Sequence, residues 1–387
     1  MRKTIYLLFS CLSALVLRAQ QIPQLSDQAQ ISVMTCGAGD ELYSAFGHTA
    51  FRVQDSLLGL DIVYNYGTFD FDRPNFYLNF AKGKLIYSLS RTTFERFLFT
   101  YEYEKRWVKE QILDLTSEEV NLLFRFFENN YRPENRDYLY DPLFNNCSNI
   151  VAVIFQEQLG NGIQFNDDHL ERQYTFRQLV REFLPTNSWG AFGIELAFGA
   201  VTDRTTEVPE QMFAPYYAMY QLRHTTKNGD PIVKRERKIL DYPEPSARGT
   251  FVTSPLFWFS LLFLFVLVIT FLDKKHGTRH KWLDFTLFLV SGLAGTSILL
   301  LWLATDHVVT QGNFNFLWLL PSNAVVAFFL FGNSDDIPWL GRYLWIVLGG
   351  LGSILVLWIF KIQVLSPLNI LLMLILVVRY LFLLKKI

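Results

Sequence analysis

The stretch FNNCSNIVAVIFQEQLG, residues 144–160, decides which kind of domain this chain builds. Its cysteine, Cys147, follows two asparagines and opens an apolar run that is typical of a buried helix. Asn145 or Asn146 is a suitable N-cap, and Gly160 is a suitable stop. Backbone N–H groups at a helix start favour a negative charge, so the pattern predicts a lowered thiol pKa at Cys147.

A second stretch, SAFGHTAFRV, alternates as a strand, and DIVYNY comes after it beyond a turn. We predict an antiparallel register in which His48 stands opposite Asn65. The same register puts Arg52 opposite Asp61, so that a charge pair supports it. All four side chains then share one face, because alternate residues of a strand point the same way. His48 is therefore placed to take the thiol proton of Cys147 while Asn65 orients the imidazole, which is the logic of thiol acyl-transfer sites.

The segments around these two stretches predict an α+β domain. KGKLIYSLS and VKEQILDL have the pattern of strands, and RTTFERFLFTYEYEKR has the pattern of a helix. TSEEVNLLFRFFENNYR is a further helix, with a capping box from Thr116 to Glu119 at its start. We expect a small antiparallel sheet with helices packed against it.

The last third of the chain is far more apolar than the rest and predicts a membrane domain. Five apolar segments long enough to span come after residue 250, although the third is barely so: 253–272, 284–304, 316–332, 342–361 and 368–384. The basic loop DKKHGTRHKW and the basic C-terminus are typical of the cytoplasmic side. The N-terminal part of the chain is therefore predicted to lie outside the cytoplasm.

These patterns divide the chain into three regions. Residues 1–20 have the anatomy of a signal peptide, with basic residues before a short apolar run. Residues 21–250 form the soluble domain, and residues 251–387 form an all-α membrane domain of about five transmembrane helices. The formal net charge of −1 gives no indication of a nucleic-acid partner.

Export leaves two cysteines, Cys36 and Cys147, in an oxidising compartment. Either they form a disulfide or one of them is a reactive thiol. His169 and His224 stand in polar stretches and are expected to be solvated. The histidines and cysteines have no spacing typical of a zinc site, so we predict neither a metal nor a cofactor.

A histidine on one strand, a polar residue on the next and a late NC at a helix start resemble the circularly permuted NlpC-type papain-like fold. Lecithin:retinol acyltransferase and its relatives have this order. In those enzymes the third residue is usually a second histidine on the second strand. Asn65 stands there in this chain, and Asp61 is the reserve candidate for orienting His48.

A resemblance over most of the chain is carried by MTCGAGDELYSAFGHTAFRV, YNYGTFDF, NNCSN, EQMFAPYY and TDHVVTQGNFNFLWLLP. These blocks resemble the Lnb-type family, membrane proteins implicated in N-acylation of bacterial lipoproteins. The resemblance implies an acyltransferase of the inner membrane whose catalytic domain faces the periplasm. It would move an acyl chain from a glycerophospholipid or lipoprotein donor to the α-amine of diacylated lipoproteins, through a Cys147 thioester with His48 as general base.

Such an enzyme needs a cleft close to the bilayer, because both of its lipid substrates are confined there. The predicted outer loops contain polar and aromatic residues that are candidates for the floor of that cleft: His307, Asn313, Asn315, Trp318 and Gln363. The alternative is ordinary interfacial anchoring and helix capping.

Two other functions remain open from the sequence. The permuted fold also serves cell-wall peptidases and amidases, although these do not need five spans. A non-catalytic envelope protein would leave Cys147 in the core or paired with Cys36.

Overall fold

The computed structural model describes residues 22–170, 172–244, 250–332 and 337–386. The predicted signal segment lies outside the described residues. A mixed α+β domain with an antiparallel sheet comes first along the chain and a helical domain comes second, so the predicted fold class is confirmed.

The sheet of the first domain has seven strands in the order β10-β5-β1-β2-β3-β4-β6, and every neighbouring pair is antiparallel. A second sheet has the order β7-β8-β9. The strands are β1 Gln30–Cys36, β2 His48–Asp55, β3 Leu60–Thr68, β4 Ile86–Thr93, β5 Val108–Leu113, β6 Asp137–Leu139, β7 Ile163–Phe165, β8 Thr225–Lys227, β9 Asp230–Pro231 and β10 Val233–Leu240.

Within the described residues of the first domain, seven α-helices connect and cover these strands: α1 Phe76–Ala81, α2 Phe94–Tyr103, α3 Ser117–Asn130, α4 Ile150–Ile154, α5 Phe176–Phe183, α6 Trp189–Ala197 and α7 Pro215–Arg223. The predicted capping box from Thr116 to Glu119 is present at the start of α3. Helix α4 continues into a π-helical turn that ends at Gly160, where φ is +74°.

The central sheet is buried on both faces. On one face Phe51 packs against Phe127 of α3, with ring centroids 4.8 Å apart. On the other face Val63 packs with Phe97 and Tyr101 of α2. Because the sheet is covered on both sides, β1 and β2 are buried along nearly their whole length, polar residues included.

The predicted register between β2 and β3 is wrong by two residues. Arg52 lies opposite Val63, and Asp61 lies opposite Gln54. A shift by two keeps each side chain on its face, because the side-chain period of a strand is two. Arg52 therefore still reaches Asp61 as a diagonal neighbour, and its guanidinium makes two contacts of 2.7 Å to that carboxylate.

The described part of the second domain has five α-helices: α8 Pro255–His276, α9 Lys281–Leu303, α10 Ser322–Phe329, α11 Leu340–Ile359 and α12 Pro367–Lys386. Among the described residues, α8, α9, α11 and α12 are long and apolar enough to cross a membrane. One end of this bundle meets the first domain, where Trp189 Nε1 donates to Thr253 O at 2.9 Å. We call this the outer end and the opposite one the inner end.

The third predicted span, residues 316–332, is not one continuous helix. A 3₁₀ turn at Phe314–Leu317 precedes α10, which at eight residues is only about 12 Å long. The segment nevertheless runs from the outer end to the inner end, where Arg279 donates to Leu330 O. A Cβ on Gly295 of α9 would lie 1.5 Å from Leu319 O, so the broken backbone is packed tightly inside the bundle.

Buried ion pairs connect three of the helices at the inner end of the bundle. Arg379 of α12 is fully buried and contacts Asp273 of α8 at 3.0 Å and Asp284 of α9 at 2.8 Å. Charged groups in a membrane domain face the bundle interior and pair with one another, because lipid cannot solvate them. This triad therefore fixes how α8, α9 and α12 pack together.

The join between the two domains is built from residues that the sequence suggested for a substrate cleft. Asn313 Nδ2 donates to Leu196 O at 2.9 Å and to Ala197 O at 3.0 Å, at the end of α6. Asn315 Nδ2 also donates to Leu196 O, at 3.1 Å. Gln363 Oε1 accepts from the Phe314 amide at 2.6 Å.

These side chains have no polar group left for a substrate. Asn313 Oδ1 accepts from the Asn315 amide and from Gln363 Nε2, and Asn315 Oδ1 accepts from Trp318 Nε1. All four side chains are at most 2% exposed. Asn313, Asn315, Trp318 and Gln363, which the sequence suggested for a substrate cleft, are thus buried where the two domains meet, and their polar groups bond to the protein itself.

A second set of contacts reinforces this join. Arg177 of α5 is buried and contacts Asp203 Oδ1 at 2.7 Å. Asp203 Oδ2 accepts from the Val364 amide at 3.2 Å, just beyond α11. Arg181 donates to Leu365 O at 3.3 Å. The soluble domain is thus fixed to the outer end of the bundle at several points.

The described contacts put the first domain and the C-terminus at opposite ends of the bundle. Alkaline phosphatase, which is active only outside the cytoplasm, should therefore be active when fused after residue 240 and inactive when fused to the C-terminus. A fluorescent protein that matures only in the cytoplasm should give the reverse pattern. An active phosphatase at the C-terminus would contradict the topology.

Asn313→Leu should loosen the join, because the change strands buried hydrogen-bond partners at roughly 1–3 kcal/mol each. We expect a lower Tm in detergent and faster proteolysis between the two domains. Asn161→Leu, at an exposed position, is the matched control and should leave both properties unchanged. An Asn313→Leu protein as stable as this control would show that the network contributes nothing.

Candidate active site

Asn146 shapes the turn that presents Cys147. Its Oδ1 accepts from the Ser148 amide at 2.8 Å and from the Asn149 amide at 3.0 Å. Asn149 Oδ1 accepts in return from the Asn146 amide at 2.7 Å. The helix itself begins later than predicted, at Ile150 with Asn149 as its N-cap, so Cys147 lies in the turn before α4 and Asn146 caps that turn. Its Nδ2 donates to Pro142 O at 2.7 Å, which ties the turn to the preceding loop.

His48 and Asn65 come together across the sheet. His48 Nε2 donates to Asn65 Oδ1 at 2.5 Å, and the predicted contact between the two side chains is confirmed. An amide oxygen can only accept, so this bond puts the hydrogen on Nε2 and leaves Nδ1 for other contacts. Asp61, the reserve candidate for orienting the imidazole, is instead paired with Arg52.

A buried hydroxyl pair brings the cysteine turn against the histidine strand. Thr49 Oγ1 donates to Ser148 Oγ at 3.1 Å, and both side chains are fully buried. Thr49 follows His48 along β2, and Ser148 follows Cys147. The contact therefore fixes the positions of the two reactive side chains relative to each other.

Cys147 and His48 shift each other's protonation. Burial opposes ionisation of the Cys147 thiol, but His48 and the backbone amides of Thr49 and Cys147 outweigh it, so the thiol pKa is lowered. Burial likewise opposes the charge on His48, but Cys147 and Asn65 outweigh it and raise the imidazole pKa. Both directions favour a thiolate beside an imidazolium. Cys147 itself stays half-buried at the edge of the core.

A bulge in β3 makes room for the cysteine. The pairing of β3 with β4 shifts between Asn65 and Thr68, and Gly67 has φ +88°. A Cβ on Gly67 would lie 3.4 Å from Cys147 Cβ and 3.6 Å from Tyr140 Cε2. Gly67 thus supplies both the left-handed backbone and the space beside the thiol.

Two tyrosines border the site and were not predicted from the sequence. Burial is the largest cause that raises the pKa of Tyr138 and of Tyr140, and the Cys147 charge adds to it. Both phenols therefore stay protonated. The buried Tyr138 hydroxyl has no hydrogen-bond partner within the part of the chain that the structure describes. Nothing in the short segment DYLY, residues 137–140, distinguished these two tyrosines from ordinary core aromatics.

Cys36 is the other cysteine of the exported chain, and it is free, as is Cys147. It lies opposite His48 in the pairing of β1 with β2 and is 1% exposed. Burial raises the pKa of its thiol to about 12. Cys36 therefore has neither the ionisation nor the access that a nucleophile needs.

A cavity of about 780 Å³ opens next to this strand pair. Its walls include Cys36, Phe46, Trp107, Phe183 and Tyr216. The size is typical of ligand pockets, and Phe46 lies only two residues before His48. Among the described residues that line it, none is His48, Asn65 or Cys147.

The remaining histidines lie elsewhere. His307 is half-buried beside Phe80, at a ring-centroid distance of 6.4 Å. His169, His224 and Asp168 have ligand atoms within 4.8 Å of one another and are the group in the described chain that could hold a metal. That group contains none of the residues around Cys147.

Two family models match separate parts of the chain. Residues 24–182 match the Lnb N-terminal periplasmic domain, and residues 247–387 match the Lnb transmembrane domain. No curated protein and no solved structure matches the chain. With the four apolar helices, these matches identify a multi-pass membrane protein with a periplasmic domain.

The pKa directions predict how Cys147 reacts with iodoacetamide. Because the thiol pKa is lowered, its alkylation rate should rise to a plateau at a pH below that of an ordinary cysteine. His48→Gln removes the main stabilisation of the thiolate and should move this rise to higher pH. Asn65→Ala should shift it less, since Asn65 acts through the imidazole. If His48→Gln left the pH profile of alkylation unchanged, His48 would not control the ionisation of Cys147, and the prediction would be wrong.

Proposed function

Because the chain belongs to the Lnb-type lipoprotein N-acyltransferase family, we propose that it transfers an acyl chain to the N-terminal α-amine of diacylated lipoproteins. The donor is a glycerophospholipid or another lipoprotein of the same membrane, which we take to be the inner membrane. The observation that carries the proposal is a partly exposed Cys147 beside an Asn65-bound His48, in a domain fixed to apolar helices.

In the first step the Cys147 thiolate attacks the carbonyl carbon of the donor ester. His48 has taken the thiol proton on Nδ1, since Nε2 is bonded to Asn65. The tetrahedral intermediate collapses by breaking the carbon–oxygen bond of the ester. The imidazolium returns its proton to the leaving alkoxide, which departs as a lysolipid, and the acyl chain remains on Cys147 as a thioester.

In the second step the uncharged α-amine of the lipoprotein attacks the thioester. His48, now neutral, accepts a proton from the attacking nitrogen. The carbon–sulfur bond breaks and regenerates the thiolate beside the imidazolium. The products are an N-acylated lipoprotein and the starting enzyme, so no further reactant and no cofactor is required.

The negative charge of each tetrahedral intermediate needs hydrogen-bond donors. Before attack, the backbone amides of Thr49 and Cys147 donate hydrogen bonds that stabilise the Cys147 thiolate. They become available to the carbonyl oxygen once the sulfur has formed its bond to carbon. The unpartnered Tyr138 hydroxyl is a further donor at this place, because its raised pKa keeps it protonated.

The join between the domains supports a substrate drawn from the bilayer. Asn313, Gln363 and Asp203 fix the soluble domain to the outer end of the helices, which keeps Cys147 at a constant height above the lipid. Preorganisation of this kind lowers the entropic cost of bringing two membrane-bound reactants together.

Cys147→Ala should abolish N-acylation, lowering the rate on the order of 10⁴-fold or more, because the nucleophile is removed. The protein should still fold, since losing one thiol from a partly open site costs about 1 kcal/mol. Mass spectrometry of lipoprotein N-termini, read beside the protein level, separates the two effects.

Cys36→Ala is the matched control, because it removes a thiol from the neighbouring strand without removing a nucleophile. We expect near-normal acylation from that variant. Normal acylation by Cys147→Ala would refute the covalent mechanism and leave Cys147 with a structural role.

A further inference from the structure

An exposed group of aromatic side chains lies between β3 and β4. Phe71 is 57% exposed, Tyr77 is 73% exposed and Phe80 is 50% exposed. An exposed apolar cluster of this kind marks a surface that contacts a protein or a membrane. We call the cluster the aromatic lobe, and its members are Phe69, Phe71, Phe76, Tyr77 and Phe80.

The lobe rests on the outer end of the membrane helices. The Asp306 amide, in the connection that follows α9, donates to Lys82 O at 2.8 Å. A Cβ on Gly83 would lie 2.5 Å from the His307 nitrogen, and the Phe80 ring faces the His307 ring. The lobe is therefore at the level where the apolar helices leave the bilayer.

That level determines which partner the lobe fits. Aromatic side chains are favoured at the boundary between lipid headgroups and acyl chains, where their rings are partly buried. Lys82 and Lys84 flank the lobe and are exposed, so they are placed to meet lipid phosphates. The outer leaflet of the bilayer, rather than a soluble protein, is thus the matching surface.

A run of ring contacts leads from the lobe to the reactive thiol. Phe69 lies 5.2 Å from Tyr87, and Tyr87 stacks on Tyr140 at 4.3 Å. Tyr140 borders the space at Gly67, where Cys147 is the other neighbour. The apolar ring faces are therefore continuous between the exposed lobe and the site.

We propose that the aromatic lobe enters the outer leaflet and guides an acyl chain of a membrane glycerolipid to Cys147. This route rests on the proposed thioester function and adds the path by which the donor arrives. An acyl chain that follows the ring faces stays out of water until its ester carbonyl reaches the thiolate, so the lipid is never fully extracted.

The test compares a lipid donor with a soluble one. The full chain is placed in nanodiscs of phosphatidylethanolamine and phosphatidylglycerol, and acyl-Cys147 is measured by intact mass. The variant combines Phe71→Ser, Tyr77→Ser and Phe80→Ser. Its acylation by the bilayer lipid should fall about tenfold or more, which corresponds to about 1.4 kcal/mol. Its acylation by the short-chain ester p-nitrophenyl butyrate should stay unchanged.

A matched control removes exposed aromatic side chains elsewhere on the same domain. Phe99 is 66% exposed and Tyr103 is 81% exposed, and both belong to α2. The double variant Phe99→Ser and Tyr103→Ser should be acylated by lipid at the unaltered rate. An equal loss in this control would show that the effect is not specific to the lobe and would overturn the proposal.

The other outcomes are separable. Normal lipid-dependent acylation in the lobe variant overturns the proposed route while leaving the thioester mechanism intact. Normal acylation with slower transfer to a diacylated lipopeptide would assign the lobe to the acceptor instead, which also overturns the proposal. If neither donor acylates Cys147 in the unaltered protein, the proposed function itself fails.

A second measurement does not depend on catalysis. A nitroxide is attached at position 77 through Tyr77→Cys in a Cys147→Ala background, again in nanodiscs. If the lobe enters the leaflet, the nitroxide should be relaxed more strongly by oxygen, which concentrates in lipid, than by a water-soluble nickel complex. Stronger relaxation by the nickel complex would place the lobe in water and overturn the proposal.

Discussion

The site depends on a buried contact between one strand and one turn. Thr49 Oγ1 donates to Ser148 Oγ at 3.1 Å, and each hydroxyl belongs to the residue that comes after a reactive side chain. The two reactive residues are nearly a hundred positions apart in sequence, so the chain provides no local means of aligning them. Because both hydroxyls are fully buried, separating them would leave two unsatisfied polar groups. That cost keeps His48 against Cys147 and maintains the mutual shift in their pKa values.

Local patterns in the sequence predicted the features that depend on neighbours along the chain. The capping box at Thr116 and the stop at Gly160 both arise from local backbone chemistry. The start of α4 was predicted three residues too early, because Asn146 caps a turn that precedes the helix. The contact between His48 and Asn65 was also predictable. A register error of two residues leaves both side chains on the same face of the sheet, because side chains along a strand alternate with a period of two. The register itself was not, because the prediction placed Arg52 directly opposite Asp61, whereas the two side chains meet as diagonal neighbours.

Features that depend on distant contacts could not be predicted from the sequence. Strand β10 is rich in Lys and Arg and reads as a solvated segment, yet it pairs with β5 across more than a hundred residues. Asn313 and Gln363 looked like cleft residues because polar groups at a membrane surface suggest a substrate. Their partners are carbonyls at the end of α6, which no local pattern reveals. The join they form fixes the position of the first domain relative to the outer end of the apolar helices.

The identity of the acyl adduct on the protein decides whether Cys147 is the nucleophile. The full chain would be incubated with membrane lipid in the absence of any lipoprotein acceptor and digested for peptide mass spectrometry. A covalent mechanism predicts a fatty acyl mass on the peptide that contains Cys147, removed by neutral hydroxylamine because it is a thioester. On adding a diacylated lipopeptide, the adduct should disappear as the N-acylated product forms. An adduct on a different residue, or transfer to the lipopeptide by a protein that never acylates Cys147, would contradict that mechanism.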